Sequence, residues 1–538
     1  MKTLLKNGTI VDGTGQKGYT GSVVLEDGRI LCVLSGQAPE GFEGQTIDCT
    51  GLTIAPGFID AHSHNDWYAA RSNPLPYFTP FVEQGITTQV TGNCGFSPFG
   101  YRENTPYRHL LGSGLFEVGD APDECFHTFS GWREEANKRT PLNLVPLQGH
   151  GSIRIGLSGY ENRPLTAEEM KLRADKLEES LDQGAFGLSY GLMYEPDRYA
   201  STEELYSGAI RTAKHNKILT VHARACSAAS TSYSPPFGGR AHNLRALDEM
   251  LLLARETGVK LQYSHLIFVG ESSWKTVDES LALIDRARAD GVDVQYDLYA
   301  MTFGVSVITV VLPSWYLSLP ESKKRAPAIR ARLALEIGVT KRVLGFGFSD
   351  MQVAWLGEGH DDLCGKRIPE IAKLWNVSEI DAYLRLVDIS QGKGRVNMYR
   401  YYSEPIIWRL MQHEPSLFMT DAWIEEKGVQ NAAAYSSFAK FLQWAHEKKS
   451  GLTLEQTIRK MTGAAADRFQ IHERGYLREG YFADVTVFDA NTIAAQSDLP
   501  AKPNGIVHVF VNGRQVLEHG SVVSSRMIGA GTVLSALS

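Results

Sequence analysis

The sequence has 538 residues, of which 43% are hydrophobic and 21% are charged, an ordinary balance for a globular protein. Its net charge of −7 at pH 7 gives no electrostatic reason to expect nucleic acid or an anionic membrane as a partner. A chain of this length is too long to fold around a single small hydrophobic core, so we predict one large domain with a smaller one.

The amino-terminal stretch "MKTLLKNGTIVDG" lacks the apolar core of a signal peptide, and no apolar run reaches the length of a membrane span. We therefore expect a cytoplasmic protein. Six cysteines are spread along the chain without the spacing of a disulfide framework, so a special cysteine here is a ligand or a catalyst rather than half of a disulfide. They are Cys32, Cys49, Cys94, Cys125, Cys226 and Cys364.

Both ends of the chain have sequence patterns typical of short strands joined by tight turns. Residues 1–54 contain "LLKNGTIVDG" and "GSVVLEDGRILCVL", and residues 480–538 contain "GYFADVTVFDANT" and "GIVHVFVNGRQVLEHGSVV". Asn-Gly and Asp-Gly pairs between apolar runs are typical of hairpins. The two ends therefore predict one small β-domain built from both termini.

Residues 55–479 alternate strand-like runs with amphipathic helical patterns such as "TAEEMKLRADKLEESLDQG" and "SSWKTVDESLALIDRARADG". Alternation of this kind predicts a parallel sheet, because parallel strands need a crossover to return. Eight strand-like runs favour an α/β fold of the TIM-type (β/α)8 barrel over a doubly wound sheet, since no glycine-rich phosphate motif follows any strand. The eight runs are "IAPGFIDAHSH", "ITTQVTGNCG", "LNLVPLQGHG", "AFGLSYGL", "ILTVHAR", "KLQYSHL", "DVQYDLYA" and "SLFMTDAW".

The connection between the seventh and eighth predicted strands, about residues 304–416, is too long for an ordinary loop. It contains two helical patterns, "ESKKRAPAIRARLALEIG" and "IPEIAKLWNVSEIDAYLRLV". A connection of this length predicts an insertion that covers the barrel like a lid.

Two histidines, His62 and His64, follow the first predicted barrel strand. Residues two apart on a strand point to the same face, so both imidazoles can turn inward and share one cation. Asp60 has the same parity. A chance pair on a solvated strand is the alternative, but the position after "APGF" at the start of the barrel pattern favours metal ligation.

Cys94, His222 and His265 end the second, fifth and sixth predicted strands. In a TIM barrel, catalytic residues come from the carboxyl ends of different strands. Thiolate and imidazole are ligands that zinc prefers, and three protein ligands with one open position are typical of a catalytic site. A single buried histidine is more often a core residue, so the prediction depends on the three together. Cys226 we expect in the core or beside the ligands.

Asp421 ends the eighth predicted strand in "LFMTDAW". A carboxylate beside a metal-bound water can accept its proton and return it to a leaving nitrogen. An aspartate here could instead cap a following helix. We favour the catalytic role. His150 ends the third predicted strand, and Tyr194 follows the fourth.

The chain resembles the N-acyl-D-amino-acid deacylases (D-aminoacylases) of the amidohydrolase superfamily over nearly its whole length. The turn around Cys94 is the most discriminating part of this resemblance. The motifs that carry it are "PGFIDAHSHND", "GITTQVTGNCGFSP", "LNLVPLQGHGSIR", "GAFGLSYGLMYEP", "VHAR", "YSHL", "MTDAW", "KMTGAAADRF" and "RGYLREGYFADVTVFDANT".

The resemblance implies roles for the residues at the strand ends. It implies one tightly bound Zn²⁺ on Cys94, His222 and His265. It also implies a possible second, weaker metal position, whose ligands would be His62, His64, the shared Cys94, and Asp421. Asp421 matches the general acid and base of the family, and Tyr194 matches a tyrosine near the substrate. His150 matches a Gly-His pair to which the resemblance gives no role.

The chain departs from the family pattern where the family binds the substrate carboxylate. Ile267 stands in place of a lysine, and Met301 in place of the second tyrosine of a motif whose first tyrosine is Tyr299. Asn431 and Ala433 replace a histidine and an arginine. A buried carboxylate without a cation costs several kcal/mol. We therefore predict a neutral or aromatic amide, bound by residues that also include Phe303 and Trp423.

The sequence thus predicts a zinc-dependent hydrolase of linear amides, with a small-molecule amide as substrate and a homo-oligomer as a possible state. Three alternatives stay open. The chain could be a true N-acyl-D-amino-acid deacylase, or it could use the same metal site as a cyclic amide hydrolase or deaminase. From a different class, it could be an inactive binding protein that keeps the barrel.

Overall fold

The secondary structure alternates between strands and helices along most of the chain. The structure is a computed structural model, which describes residues 2–36, 41–112, 125–230, 232–233, 239–496 and 500–536. The strands in these ranges are β1 (Lys2–Ile10), β2 (Tyr19–Glu26), β3 (Arg29–Ser35), β4 (Gln45–Asp48), β5 (Thr53–Pro56), β6 (Phe58–Asp60), β7 (Ile86–Thr91), β8 (Asn143–Pro146), β9 (Gln148–Gly149), β10 (Gly187–Gly191), β11 (Ile218–His222), β12 (Lys260–Tyr263), β13 (Val294–Leu298), β14 (Gly304–Val307), β15 (Met351–Trp355), β16 (Arg395–Met398), β17 (Ser416–Phe418), β18 (Val485–Phe488), β19 (Ile506–Val511), β20 (Arg514–Glu518) and β21 (Ser521–Val522).

The α-helices lie mostly between the strands of the central barrel and in the long connection that follows β13. They are α1 (Asp66–Ala69), α2 (Leu75–Val82), α3 (Phe129–Asn137), α4 (His150–Ser158), α5 (Ala167–Asp182), α6 (Thr202–Lys214), α7 (His242–Thr257), α8 (Glu271–Trp274), α9 (Val277–Ala289), α10 (Ser314–Leu317), α11 (Glu321–Lys324), α12 (Pro327–Leu344), α13 (Ile368–Trp375), α14 (Glu379–Ile389), α15 (Glu404–Gln412), α16 (Ala433–His446), α17 (Leu454–Met461), α18 (Gly463–Phe469) and α19 (Ser524–Met527).

Strands from both ends of the chain form one nine-stranded sheet. Its order is β21-β20-β19-β18-β5-β1-β2-β3, and β4 pairs with β1. The join between the two ends is the antiparallel pairing of β18 with β5. Apolar side chains from both ends, including Leu5, Ile54 and Val485, share a separate buried cluster. Two distant segments therefore complete one hydrophobic core.

The centre of the molecule is a closed parallel barrel. One run of parallel strands is β6-β7-β8, and the other is β9-β10-β11-β12-β13-β17. Leu147 alone separates β8 from β9, which together act as one barrel strand. The amide of Ala61 donates to the carbonyl of Phe418 at 3.2 Å and closes the circle. The predicted (β/α)8 barrel is confirmed, and its eight strands match the eight runs in the sequence.

Helices connect successive barrel strands and pack on their outer faces, as crossovers between parallel strands require. The pattern that starts at Thr166 is helix α5, where the Thr166 hydroxyl and the Glu169 carboxylate form a capping box. The pattern at residues 272–291 is two helices, α8 and α9, rather than one. Among the described residues, no helix is both long and apolar enough to cross a membrane.

The connection from β13 to β17 is the predicted insertion, with more structure than the sequence indicated. Each predicted helix is two: α11 and α12 for the first pattern, and α13 and α14 for the second, where Asn376 ends α13 in the left-handed conformation. An unpredicted antiparallel sheet, β14-β16-β15, joins them. Helix α15, at the end of the insertion, packs on β13 and β17 in the place of a barrel crossover helix.

Candidate metal centre

The carboxyl ends of the barrel strands bring the predicted metal ligands together. The Cys94 thiol lies 3.4 Å from Nε2 of His62, 3.6 Å from Nδ1 of His222 and 3.6 Å from Nε2 of His265. Ligand atoms around a tetrahedral zinc ion, with bonds of about 2.0–2.3 Å, lie roughly 3.3–3.8 Å apart. The donor atoms therefore have the spacing of a shared cation site.

A carboxylate completes this group. Asp421 Oδ1 lies 3.4 Å from Nε2 of His62 and 3.3 Å from Nε2 of His64. The donor atoms of His62, Cys94, His265 and Asp421 all lie within 4.8 Å of one another. This group takes members from both ligand sets that the resemblance implied, so the donors form one continuous cluster around the thiol.

Three of these residues adopt an uncommon backbone conformation. Cys94, His265 and Asp421 have φ angles of 53°, 33° and 49°, in the left-handed region that side chains other than glycine rarely occupy. Residues in this region cost of order 1–3 kcal/mol each and persist only where the surroundings hold them, most often at functional sites. At each of the three, the strand has just ended and the chain turns so that the side chain points into the barrel mouth.

Burial sets the protonation of the donor atoms. It lowers the pKa of His62, His64, His222 and His265 and so favours the neutral imidazole, the form that binds metal. Burial also raises the pKa of the Cys94 thiol well above its ordinary value, and the nearby Asp421 raises it further. A buried thiolate therefore needs a cation beside it, which fits the donor set to a divalent metal.

Asp421 is ionised despite its surroundings. Burial alone would raise its pKa, but the imidazoles of His265, His64 and His62 lower it below the ordinary range. About a fifth of its side chain remains exposed. The site thus presents a reachable carboxylate beside the histidines.

Two further carboxylates hold the ligands in place. Asp60 accepts hydrogen bonds from the His62 amide and from both the amide and the hydroxyl of Thr420, so it links the first strand to the eighth. Asp297 accepts from the His265 amide at 2.6 Å and lies 3.8 Å from Nδ1 of His62. Partners of this kind orient metal ligands. The sequence reasoning missed Asp297, although a carboxylate inside the apolar run "VQYDLY" was a usable signal.

A cavity of about 160 Å³ opens beside the metal centre, between the barrel and the insertion. Its wall includes His222 and Tyr194 from the barrel and Met351, Met398 and Tyr401 from the insertion. A larger cavity of about 600 Å³ adjoins it and shares Met193, Tyr194 and Arg198. Tyr401 and Arg198 were not predicted, because only the folded insertion and the loop after β10 bring them here.

The predicted substrate residues divide between the cavity wall and the core. The Tyr194 ring lies 4.5 Å from the His222 ring, and both Tyr194 and Ile267 line the smaller cavity. Tyr299 and Met301 are buried and do not line the cavities described here. The Tyr299 hydroxyl has no hydrogen-bond partner within the described ranges.

The other residues at departures from the family pattern lie nearby. Phe303 stacks on Tyr399 at 5.1 Å, and the Trp423 ring lies 5.6 Å from the His64 ring. The Asn431 side chain donates to the Asp421 carbonyl at 3.4 Å and accepts from the Ala433 amide at 3.0 Å. In this chain the Asn431 side chain therefore links the turn at Asp421 to the start of helix α16.

Comparisons with known proteins agree with this geometry. A sequence model of the amidohydrolase family matches residues 45–230, and a second model with the same description matches residues 416–516. An N-acyl-D-aspartate deacylase from Alcaligenes xylosoxydans xylosoxydans is 29% identical over 95% of this chain and 91% of its own length.

Solved structures extend the likeness to the whole fold. A D-aminoacylase with a binuclear metal centre superposes with a TM-score of 0.79 at 26% identity, covering 99% of both chains. The chain belongs to the amidohydrolases and resembles D-aminoacylases over its whole length. The N-acyl-D-glutamate deacylase of Bordetella bronchiseptica, solved with zinc and a phosphonate inhibitor, gives a TM-score of 0.76 at 26% identity over 99% of both chains. The family predicted from the sequence motifs is confirmed. The ligand roles within this amidohydrolase stay predictions.

Proposed function

We propose that this amidohydrolase binds zinc at the cluster around Cys94 and hydrolyses the amide bond of an N-acylated small molecule. The observation that carries the proposal is the spacing of the Cys94 thiol, at 3.4–3.6 Å from three imidazole nitrogens. Cys94, His222 and His265 would hold one ion, and His62, His64 and Asp421 would complete a second, weaker position with the same thiol.

Zinc bound there would polarise the amide carbonyl and lower the pKa of the attacking water. The pKa of Asp421 is lowered and its side chain is partly exposed, so this carboxylate would accept a proton from the attacking water and return it to the leaving nitrogen. Burial and the nearby tyrosines Tyr402 and Tyr401 raise the pKa of Tyr299, so its hydroxyl keeps its proton and remains a hydrogen-bond donor. Apolar residues of the insertion line the smaller cavity and would reduce the access of bulk water to it.

The cavity wall supports a neutral or aromatic amide as the substrate. Ile267 and Val269 of the barrel line the smaller cavity together with Met351 and Phe346 of the insertion. This apolar part of the wall would bind an apolar acyl group or side chain, and it gives a carboxylate placed against it no compensation for its lost hydration. The binding partner that we propose for this protein is therefore its small-molecule amide substrate.

A true N-acyl-D-amino-acid deacylase is the second candidate, and a specific observation favours it. Arg198 lines both cavities, and a guanidinium there could pair with a substrate carboxylate. Relatives that act on N-acyl-D-aspartate and N-acyl-D-glutamate have the same fold and similar sequences.

A matched pair of substrates decides between these candidates. N-acetyl-D-phenylalanine and N-acetyl-D-phenylalaninamide share the acetyl amide and differ only in the carboxylate. Release of acetate from zinc-loaded protein is measured for both, with ammonia assayed to detect deamination. We expect kcat/KM to be higher for the amide. A preference for the acid that disappears in Arg198→Gln would establish the second candidate. No acetate or ammonia from a wider amide panel would exclude both.

A further inference from the structure

His150 begins helix α4 beneath the Cys94 turn and is completely buried. Its Nδ1 lies 2.8 Å from Oδ1 of Asp197, and its Nε2 lies 3.0 Å from Oε1 of Glu204. Burial lowers the pKa of His150, but the two carboxylates outweigh it and raise the pKa above the ordinary value. The protonated form of the imidazole is therefore favoured, and the ring lies between two carboxylates.

Arg154 extends this chain of charges. Its Nη1 donates to Glu204 Oε2 at 2.6 Å, and both side chains are fully buried. The Arg154 and His150 cations hold the pKa of Glu204 at about 2 against the effect of burial. Four residues, Arg154, Glu204, His150 and Asp197, thus form one buried charge network.

The Asp197 end of this network contacts the metal-ligand turn. Asp197 Oδ2 accepts a hydrogen bond from the Gly191 amide at 2.8 Å, and Gly191 is the last residue of β10. A Cβ at Gly95 would lie 2.5 Å from the same oxygen, and a Cβ at Gly191 would lie 2.0 Å from the Cys94 carbonyl oxygen. The carboxylate, the strand end and the Cys94 turn therefore pack without room for another atom.

The first turn of helix α4 contacts the same turn from the other side. The Ser152 amide donates to the Gly95 carbonyl at 3.1 Å, and the Ser189 hydroxyl accepts from the Gly95 amide at 2.7 Å. Both backbone groups of Gly95 are thus hydrogen-bonded, which fixes the residue that directly follows the left-handed Cys94.

Asp197 also lies three residues after Tyr194, in the loop that carries this tyrosine over the His222 ring. The Tyr194 amide donates to the Gly191 carbonyl at 2.9 Å, and the Arg198 amide donates to the Tyr194 carbonyl at 2.8 Å. One carboxylate therefore joins the turn of a metal ligand to the loop of a cavity-wall residue.

We propose that Asp197 and His150 are positioning residues, and that the buried network they form with Glu204 and Arg154 holds the Cys94 thiol in its metal-binding position and Tyr194 over the metal centre. The inference depends on the proposed function for the metal itself. A buried ion pair contributes little net stability. Because this network spans a metal-ligand turn and a cavity-wall loop, its effect is to restrict the position of both.

Cobalt binding tests the proposal apart from catalysis. Cys94 coordination to Co²⁺ gives a thiolate-to-cobalt charge-transfer band in the ultraviolet, which Cys94→Ala removes. We expect Asp197→Ala and Ser189→Ala to weaken cobalt affinity by about 10–100-fold and to diminish the band at saturation. Asp197→Asn, which keeps an acceptor for the Gly191 amide, should restore part of the affinity. In zinc-loaded Asp197→Ala, we expect KM to rise because Tyr194 is displaced from the cavity wall. We expect kcat to fall because the Cys94 thiol is displaced from the metal.

The control is another buried ion pair, Arg474 with Asp484, next to the amino-terminal ends of the barrel strands. Asp484→Ala should lower the thermal midpoint as much as Asp197→Ala does, while it leaves the cobalt band and affinity unchanged. A wild-type protein without the band would reject the proposed metal site itself. A wild-type band that persists at equal affinity in Asp197→Ala and Ser189→Ala would reject the positioning role.

Discussion

The Cys94 thiol and Nε2 of His62 lie 3.4 Å apart, although 32 residues separate them in the chain. The two side chains come from adjacent parallel strands, β6 and β7, whose carboxyl ends meet at the barrel mouth. This proximity places a soft thiolate ligand and an imidazole ligand, both of which zinc prefers, where one ion can bind both.

Replacement of Cys94 by alanine should remove most of the bound zinc. The thiol lies within 3.6 Å of three imidazoles, so its loss opens the centre of the cluster. Metal content after purification with limiting zinc is the measurement. Cys49→Ala is the matched control, because Cys49 is an equally buried thiol in the terminal sheet. Equal zinc in the two variants would contradict the ligand role.

Asp421→Asn should lower kcat by about 10²–10⁴-fold, the usual contribution of general acid–base catalysis. The amide keeps the size of the side chain but cannot accept a proton, so KM should change much less than kcat. Steady-state kinetics on the best amide substrate are the measurement, with zinc content determined in parallel. Asp290→Asn, which breaks an exposed pair with Arg255, is the control. A kcat within threefold of wild type would remove Asp421 from the mechanism.

Gly191→Ala should abolish high-affinity metal binding. The added Cβ would lie 2.0 Å from the Cys94 carbonyl oxygen, so the turn that presents the thiol has to move. Gly338→Ala is the control, since no atom lies within 4 Å of a Cβ there and alanine favours helix α12 by about 0.5–1 kcal/mol. Isothermal titration with zinc compares the two. Unchanged affinity in Gly191→Ala would show that the turn tolerates displacement.

Glu204→Gln should destabilise the protein at neutral pH by about 3–5 kcal/mol, because it leaves the Arg154 and His150 cations buried without their carboxylate. The pKa of Glu204 is lowered to about 2 in the folded state. A lowered carboxyl pKa stabilises the fold above the ordinary value, near 4.5, and this stabilisation disappears as pH falls from there toward 2. The difference in thermal midpoint between wild type and variant should therefore narrow below pH 4.5. A constant difference down to pH 3 would mean that the charge of Glu204 contributes nothing.

Ile267→Lys should shift the substrate preference toward carboxylated amides. Ile267 lines the smaller cavity at the position where the family pattern has a lysine. We expect the ratio of kcat/KM for N-acetyl-D-phenylalanine to that for its carboxamide to rise about tenfold, equivalent to about 1.4 kcal/mol. Ile267→Met is the control for the change in shape. If the wild type already prefers the acid and the lysine variant leaves the ratio unchanged, the apolar wall does not determine the preference.

The sequence by itself determined the barrel and the candidate ligands. Strand and helix periods alternate strongly between residues 55 and 479, and parallel strands of a closed barrel direct their carboxyl ends to one mouth. Ligand-type residues at those ends, such as His62, Cys94 and His265, could therefore be collected without coordinates. The same reasoning placed Asp421 on the last strand.

Only the tertiary structure decided what surrounds these ligands. The insertion folds around an antiparallel sheet whose strand pairing is long-range and is not predicted by any local sequence pattern. The folded insertion brings Met351 and Tyr401 to the cavity. The charge network joins His150 to Asp197 and Glu204 across 47 and 54 residues of sequence. Local sequence patterns do not predict side-chain contacts over such separations. The hydrophobic periodicity of a segment indicates which face of its helix or strand packs on the core. Contacts between side chains of distant elements depend on how those elements pack, and so they appear only once the chain has folded.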